Sequence, residues 1–133
     1  MIFVTDTHAL VHHLMGRHQR LGRRARAAFE RTDRGIDSIL IPFTAMEEVM
    51  LLSEVGRIRL PTPFRELLVS LMHSENFELG TNDPDLLFEA SALSGIRDPY
   101  DRLIVAQARI APAPLITGDE KIQASKLVQT IWD

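Results

Sequence analysis

Short runs of apolar residues alternate along the chain with longer segments in which apolar residues recur every three or four positions. The short runs predict strands and the longer segments predict helices. The predicted strands are 2–5, 38–42, 76–79, 115–117 and 128–132. The predicted helices are 7–14, 19–31, 44–55, 64–72, 84–93 and 99–111, with a short one after Asp119. Strands that alternate with helices in this way predict a parallel α/β sheet with helices on both faces.

Several residues mark where the predicted helices begin and end. Gly56 stands where glycine commonly ends a helix. Asp98 directly precedes Pro99, the residue favoured at the first helical position, so Asp98 is predicted to be an N-cap. The spelling from Thr44 to Glu47 is that of a capping box, in which Thr44 caps the helix and Glu47 reaches back.

The composition narrows the class of protein. A chain of 133 residues fits one domain, expected over 1–133, and 45% hydrophobic residues with 25% charged residues exclude intrinsic disorder. The absence of cysteine excludes disulfides, a thiolate nucleophile and a cysteine zinc site. No apolar run approaches the ~18–20 residues of a membrane span. The first residues lack the basic segment of a secretory signal, so we expect a cytoplasmic protein.

Two aspartates follow predicted strands. Asp6 comes after the first strand, and Asp119 comes after the strand 115–117. Ligands of open parallel sheets bind in the crevice beyond the carboxyl ends of the strands. Both side chains are therefore predicted to reach that crevice.

Two further carboxylates fall on the apolar sides of predicted helices. Val105 lies within about 40° of Asp101 around its helix, and Leu52 lies within about 40° of Glu48. A buried carboxylate without a partner costs several kcal/mol, so both are predicted to have a cation or another partner. The competing interpretation is helix capping, because all four carboxylates lie near predicted helix N-termini. Capping leaves Glu48 unexplained, as well as the position of both Asp6 and Asp119 after strands.

Three segments carry a resemblance to a known family. They are VTDTHAL at 4–10, DPYDRLIVAQA at 98–108 and LITGD at 115–119. Together with Glu48, eight residues before Gly56, they resemble the PIN domain, and in particular the VapC-type ribonuclease toxins of type II toxin–antitoxin systems. The segment 98–108 is the specific one. The chain departs from that pattern at Glu47, where tryptophan is common, and at Gly118, where alanine is more usual.

The resemblance implies a fold, an activity and a site. The implied fold is a three-layer α/β/α sandwich with a central, mainly parallel sheet. The implied activity is metal-dependent hydrolysis of RNA phosphodiester bonds by an endoribonuclease, the toxin of a toxin–antitoxin pair. A VapB-like antitoxin and a homodimer are the implied partners. The implied site is the quartet Asp6, Glu48, Asp101 and Asp119.

The residue types of the quartet suit a hard cation. Carboxylate oxygens without cysteine or a clear histidine cluster select Mg²⁺, with Mn²⁺ as a possible substitute. We assign Asp6 and Asp101 as direct ligands. Asp119 and Glu48 are assigned to a second ion or to orienting the attacking water. Thr7 and Thr117 are candidates for hydrogen bonds to a carboxylate or to that water.

Three alternatives stay open from the residues alone. His8 and His12 have the spacing of a zinc-binding helix, but the His-Glu-x-x-His pattern is missing. A receiver-type phosphoacceptor needs a second acidic residue beside the first-strand aspartate, and Thr5 and Thr7 flank Asp6 instead. The third alternative is a catalytically silent binding module that keeps the fold.

Arginine is concentrated in one segment. Residues 17–34 contain seven arginines against Glu30 and Asp33, a local charge of +5 in a chain of net charge −3. On a continuous helix over 19–31, extended to Arg17, four of them form a band about 60° wide. The band is interpreted as a solvated helix edge, a surface that tracks phosphates, or a contact with a protein partner. The few aromatic residues argue against an extensive base-stacking surface.

Overall fold

The computed structural model describes residues 1–133 and confirms the α/β class. Its strands are β1 (Ile2–Thr5), β2 (Ser38–Ile41), β3 (Phe77–Leu79), β4 (Leu115–Ile116) and β5 (Thr130–Ile131). Its helices are α1 (Thr7–Leu14), α2 (Arg23–Asp33), α3 (Phe43–Glu54), α4 (Phe64–Met72), α5 (Pro84–Ser91), α6 (Pro99–Ile110) and α7 (Glu120–Ser125), with a short 3-10 helix at His18–Arg20. None of the helices has the length and apolar character that a membrane span requires.

The five strands form one parallel sheet in the order β3-β2-β1-β4-β5. β1 lies at the centre, where Val4 aligns with Leu40 on one side and with Leu115 on the other. The chain builds outward from β1 in both directions, so the switch point of this doubly wound sheet lies between β1 and β4. The helices complete the three-layer α/β/α arrangement that was predicted.

The core occupies both faces of the sheet. Val4 of β1, Ile39 of β2 and Leu115 of β4 are wholly buried. Phe29 of α2 and Ile104 of α6 are buried against them in the same cluster of 26 apolar residues. Burial at about 25 cal/mol per Å² of apolar surface is the main stabilising contribution to such a core. The packed core fixes where the strands end, and the polar side chains that follow the strands take their positions from those ends.

The predicted helix over 19–31 is wrong at its start. The 3-10 helix ends at Arg20, and α2 begins only at Arg23, with Gly22 as its N-cap in an extended conformation. A Cβ at Gly22 would lie 2.3 Å from the backbone oxygen of Trp132, and Ala25 N–H donates to that oxygen at 3.0 Å. This long-range contact interrupts the helix. Arg17 therefore does not share a helix face with the arginines of α2.

The predicted capping box at the start of α3 is also wrong. The N-cap position is taken by Pro42, so Thr44 lies inside the first turn, where it is buried and makes no capping hydrogen bond. β2 runs into the helix with one intervening residue, which moves the helix start ahead of Thr44. The end of the helix is as predicted, because Gly56 has φ +77° and the following N–H of Arg57 returns to the Leu52 carbonyl at 2.9 Å.

Candidate functional site

A polar cavity of about 360 Å³ opens at the carboxyl ends of β1 and β4. Backbone pairing places these two ends side by side, since Asp6 N–H donates to the Ile116 carbonyl at 3.0 Å. All four carboxylates predicted from the sequence line this cavity. The complete lining is Asp6, Thr7, His8, His12, Glu48, Asp98, Asp101, Gly118, Asp119 and Trp132.

Asp6 links the central strand to α1. It is the N-cap of that helix, and its Oδ1 accepts a hydrogen bond of 2.8 Å from Ala9 N–H. Burial raises the pKa of Asp6, and the charge of Asp119 adds to the effect, whereas hydrogen bonding from Thr117 and Ala9 opposes it. The Asp6 side chain therefore both caps α1 and lines the acidic cavity.

Asp119 has the same double position on the neighbouring strand. It is the N-cap of α7, and its Oδ1 accepts hydrogen bonds from Lys121 N–H at 2.8 Å and Ile122 N–H at 3.1 Å. Its own N–H donates to the Thr117 hydroxyl at 3.1 Å. Capping and convergence are thus not alternatives for Asp6 and Asp119, because both residues do both.

Glu48 enters the cavity from α3. Its Oε1 accepts a hydrogen bond of 2.5 Å from the hydroxyl of Thr7, in the first turn of α1. Glu47 precedes it on the same helix but does not line the cavity. The helix geometry that favoured Glu48 over Glu47 thus agrees with where the two side chains lie. Both threonines proposed to bond a carboxylate do so, Thr7 to Glu48 and Thr117 to Asp6.

Asp101 enters from the first turn of α6 and is not the cap of that helix. The cap is Asp98, as predicted, and its Oδ1 accepts the N–H of Asp101 at 3.0 Å. Burial raises the pKa of Asp101 to about 6, and the negative charges of Asp98, Asp119, Glu48 and Asp6 raise it in that order of importance. The half-buried carboxyl thus lies in the joint field of the other acids.

The loop that leads into α6 is held by Arg102, the residue after Asp101. Arg102 donates through Nε to the Ile96 carbonyl at 2.9 Å and through Nη2 to the Ser94 carbonyl at 3.4 Å. Arg102 thus fastens the loop before the helix, while the Asp98 cap fixes the first turn. Within the segment DPYDR, Asp98 and Arg102 thus both fix the position of Asp101.

The donor set fits a hard divalent cation, although no three Asp, Glu or His side chains stand at the mutual spacing of a metal-binding group. Oxygens of Asp6, Asp119 and Glu48 accept from protein donors instead. The carboxylate oxygens that dominate the cavity are the donors that Mg²⁺ and Mn²⁺ prefer. Burial is the main cause of the raised pKa of Asp101, and the repulsion from neighbouring carboxylates, which a cation would relieve, adds to it. The assignment of the quartet as ligands stays a prediction.

A cationic group flanks the acidic cavity. Exposed His8 and half-buried His12 line it, and burial lowers the pKa of His12, helped by the positive charges of His8, Arg20 and Arg17. Gly16, at φ +68°, reverses the chain after α1, so that Arg17 N–H donates to the His12 carbonyl at 2.8 Å. Neither Arg17 nor Arg20 forms an ion pair within the chain, unlike Arg31, which pairs with Asp37.

Sequence reasoning missed Trp132 as a cavity residue. Trp132 directly follows β5, and the parallel sheet brings that strand end to the same edge as Asp6 and Asp119. The signal was therefore present, because the argument that selected the two aspartates also applies to the residue after the last strand. The cationic flank was hidden by the assumption of one continuous helix.

A doubly wound parallel sheet with carboxylates at its switch point defines the class, an α/β domain with an acidic pocket. The family follows from the sequence: the profile of the PIN domain matches residues 3–126, and the chain belongs to that family. No curated protein matches the chain.

Three solved structures share the fold. The VapBC2 complex of Rickettsia felis, bound to a DNA fragment from its promoter, aligns with a TM-score of 0.70, 18% identity and full coverage of both chains. A toxin–antitoxin complex from Klebsiella pneumoniae aligns with a TM-score of 0.65 and 19% identity, and the alignment covers 94% of this chain and 93% of that one. VapBC-1 from nontypeable Haemophilus influenzae aligns with a TM-score of 0.64 and 17% identity, and the alignment covers 98% of this chain and 97% of that one.

Proposed function

We propose that this PIN domain is a Mg²⁺-dependent endoribonuclease and the toxin of a toxin–antitoxin pair. One observation carries the proposal: four carboxylates from four separate parts of the chain, Asp6, Glu48, Asp101 and Asp119, line one cavity at the switch point of the sheet. Like charges brought together in this way destabilise the fold unless they serve a ligand. Family membership and the VapBC-like fold support the same activity.

Asp6 and Asp101 are the residues that would hold the first cation. Asp119 and Glu48 would hold a second ion or orient water. When bound, a divalent cation supplies a Lewis acid for a phosphodiester oxygen and lowers the pKa of water. The chain's own contribution is placement: the Thr7 hydroxyl fixes Oε1 of Glu48, and the Asp98 cap fixes the backbone of Asp101.

Support for a nucleic-acid substrate comes from the flank of the cavity. Arg17 and Arg20 bring positive charge near His12 at the edge of the cavity, and the two arginines have no acidic partner of their own. Arginine binds phosphate in bidentate fashion, so this flank suits a polyanion whose scissile phosphate lies over the acids. RNA as that polyanion follows from the resemblance to the ribonuclease toxins.

The partners proposed are an antitoxin of the VapB type and a second copy of the chain. The neighbours in fold from Rickettsia and Klebsiella are toxin–antitoxin complexes. Large apolar side chains are exposed on α4 and α5: Val69, Met72, Leu87 and Phe88. These side chains are available for contact with a protein partner. The mass of the purified chain, alone and with its antitoxin, tests both partners.

The two rivals differ in their requirements. A silent binding module has no need for repelling carboxylates in one cavity. A receiver-type phosphoacceptor needs a second acid beside Asp6, and Thr5 and Thr7 stand there. Phosphorylation of Asp6 by a small phosphodonor, without RNA cleavage, would favour the receiver.

The test is cleavage of a structured RNA by the purified chain, freed of any inhibitor. We expect cutting with Mg²⁺ or Mn²⁺ and none with chelator. Asp6→Asn and Asp101→Asn are expected to lower the rate by several orders of magnitude. Asparagine caps a helix as well as aspartate does, so Asp6→Asn keeps the fold while removing the charge. Full activity in either variant would refute the site, and metal-independent cutting would refute the mechanism.

A further inference from the structure

Trp132 supplies the one apolar surface of the acidic cavity. Every other side chain that lines it is acidic, a histidine or the small Thr7. The indole is half-buried, so part of it faces the cavity. It is also the only tryptophan of the chain. An aromatic surface beside four carboxylates gains nothing from them, because the face of an aromatic ring repels negative charge.

Two glycines make room for the indole and hold it in place. A Cβ at Gly118 would lie 2.8 Å from both Cε2 and Cζ2 of Trp132, and a Cβ at Gly22 would lie 2.8 Å from Cδ1. Neither glycine has a positive φ, so the backbone does not require glycine there. Gly118 leaves space for the ring, and Gly22 leaves space above all for the Trp132 main chain, whose oxygen would lie 2.3 Å from a Cβ there. The replacement of the family's usual alanine by Gly118 is thereby explained.

The backbone of Trp132 is fixed as well. Its carbonyl accepts the N–H of Ala25 at 3.0 Å, and the preceding residue, Ile131, accepts the N–H of Thr117 at 3.2 Å. The indole is thus closely surrounded at Gly22 and Gly118 and fixed at its main chain, in the cavity that Asp119 and Asp101 also line. A ring fixed in this way loses little conformational entropy when a ligand stacks on it.

We propose that Trp132 is a nucleobase-stacking residue, which receives the base of a nucleotide next to the phosphate held over the carboxylates. This inference rests on the proposed nuclease function and names a positioning residue for it. In proteins that bind single-stranded nucleic acids, bases commonly stack on aromatic side chains. This contact does not depend on the base sequence, because every base has a π face. The cavity volume lies within the range of ~300–1,000 Å³ for small-ligand sites, which suits one nucleotide.

The single tryptophan permits a test on the wild-type chain. Its emission is recorded in chelator, where RNA is not cut, during titration with a short oligoribonucleotide. Stacking predicts saturable quenching, and the same oligomer with abasic sites throughout is expected to quench far less. Binding of the oligomer with unchanged emission would overturn the proposal, as would equal quenching by the abasic oligomer.

Kinetics of variants separate stacking from packing. Trp132→Leu is expected to raise KM about tenfold with kcat within about threefold, and Trp132→Phe is expected to stay near wild type. Gly118→Ala displaces the indole and is expected to behave like Trp132→Leu. Thermal melts report any loss of fold separately. A Trp132→Leu variant with unchanged KM would refute the inference while the nuclease proposal stands. Wild type that cuts no RNA in Mg²⁺ would refute the nuclease proposal, and the emission titration would still decide the stacking.

Discussion

The hydroxyl of Thr7 donates a 2.5 Å hydrogen bond to Oε1 of Glu48, and this bond joins α1 to α3 across the edge of the cavity. Thr7 is buried next to Asp6, whereas Glu48 reaches the cavity from a separate helix. The bond therefore links Thr7, the residue after the carboxylate Asp6, directly to the carboxylate of Glu48.

The first prediction concerns that bond. Thr7→Val keeps the shape of the side chain but removes the donor, so Glu48 is free to leave its position. We expect cleavage to fall by about 10–100-fold, the usual effect of losing a group that orients a metal ligand. Thr7→Ser keeps the hydroxyl and is the matched control. Equal rates in both variants, measured as kcat/KM on one RNA, would show that the bond does not position Glu48.

The second prediction distinguishes two adjacent glutamates. Glu48→Gln removes a charge from the cavity and is expected to abolish cleavage with little effect on the melting temperature. Glu47→Gln makes the same chemical change one residue away, on a side chain that does not line the cavity, and is expected to leave cleavage nearly intact. The inverse pattern would mean that Glu47 is the residue of the site.

The third prediction uses stability in the absence of metal. The pKa of Asp101 is raised to about 6, so the native state binds more protons than the unfolded state between about pH 4 and pH 6. Stability therefore falls as the pH rises through that window. Asp101→Asn removes the effect and is expected to melt a few degrees above wild type at pH 7 in chelator, for ~1 kcal/mol after solvent screening.

Two further melts check that interpretation of Asp101. The advantage of Asp101→Asn is expected to have largely disappeared near pH 3, below the ordinary pKa of 3.8, where the wild-type carboxyl is mostly protonated in both states. Excess Mg²⁺ is expected to raise the wild-type melting temperature more than that of the variant, because ligands of the native state stabilise it. A destabilised variant with the wild-type response to Mg²⁺ would contradict a shared site.

The fourth prediction has the opposite sign and serves as a control for the third. Asp37 is buried, and its hydrogen bond with Arg31 (2.8 Å) and the amino group of Met1 hold its pKa below the usual value. Its stabilising effect is present above about pH 4 and is lost as the pH falls through the lowered pKa. Asp37→Asn is expected to melt below wild type at pH 7, and the difference is expected to vanish as the pH falls through the lowered pKa of Asp37. Cleavage activity at permissive temperature is expected to be unchanged.

The fifth prediction separates the two aspartates of the motif DPYD. Asp98→Ala removes the cap of α6 and is expected to cost about 0.5–2 kcal/mol of stability. Asp98→Asn keeps the cap and removes the charge, so both stability and cleavage are expected to remain close to wild type. A loss of cleavage in Asp98→Asn as large as in Asp101→Asn would place Asp98 among the metal ligands.

Much of the fold was predictable because its elements are locally encoded. The strands and helices follow the apolar periodicity closely, and Gly56 and Asp98 marked their ends correctly. The two errors have different causes. Gly22 interrupts the helix because of Trp132, more than a hundred residues away, and no local pattern contains that contact. Thr44 is displaced from the cap by its immediate neighbours, because β2 runs directly into Pro42.

The site was predictable to the extent that sheet topology and helix faces could be inferred. The strand-end rule located Asp6 and Asp119, and helix angles together with the family motif located Glu48 and Asp101. The expected core-facing position of the last two is corrected by the structure, in which both line the cavity and are half-exposed. The hydrogen bond from Thr7 to Glu48 depends on how α1 packs on α3. The sequence does not show that packing in enough detail to predict which oxygen accepts the bond.

The central place of β1 also determines when the cavity can exist. Asp6 and Asp119 are 113 positions apart, and they become neighbours only through the pairing of β1 with β4. Closing so long a loop is slow compared with forming α1 and α3. On the ribosome, Asp6 and Glu48 emerge before Asp101 and Asp119 are made. A growing chain thus carries two of the four acids and no complete cavity.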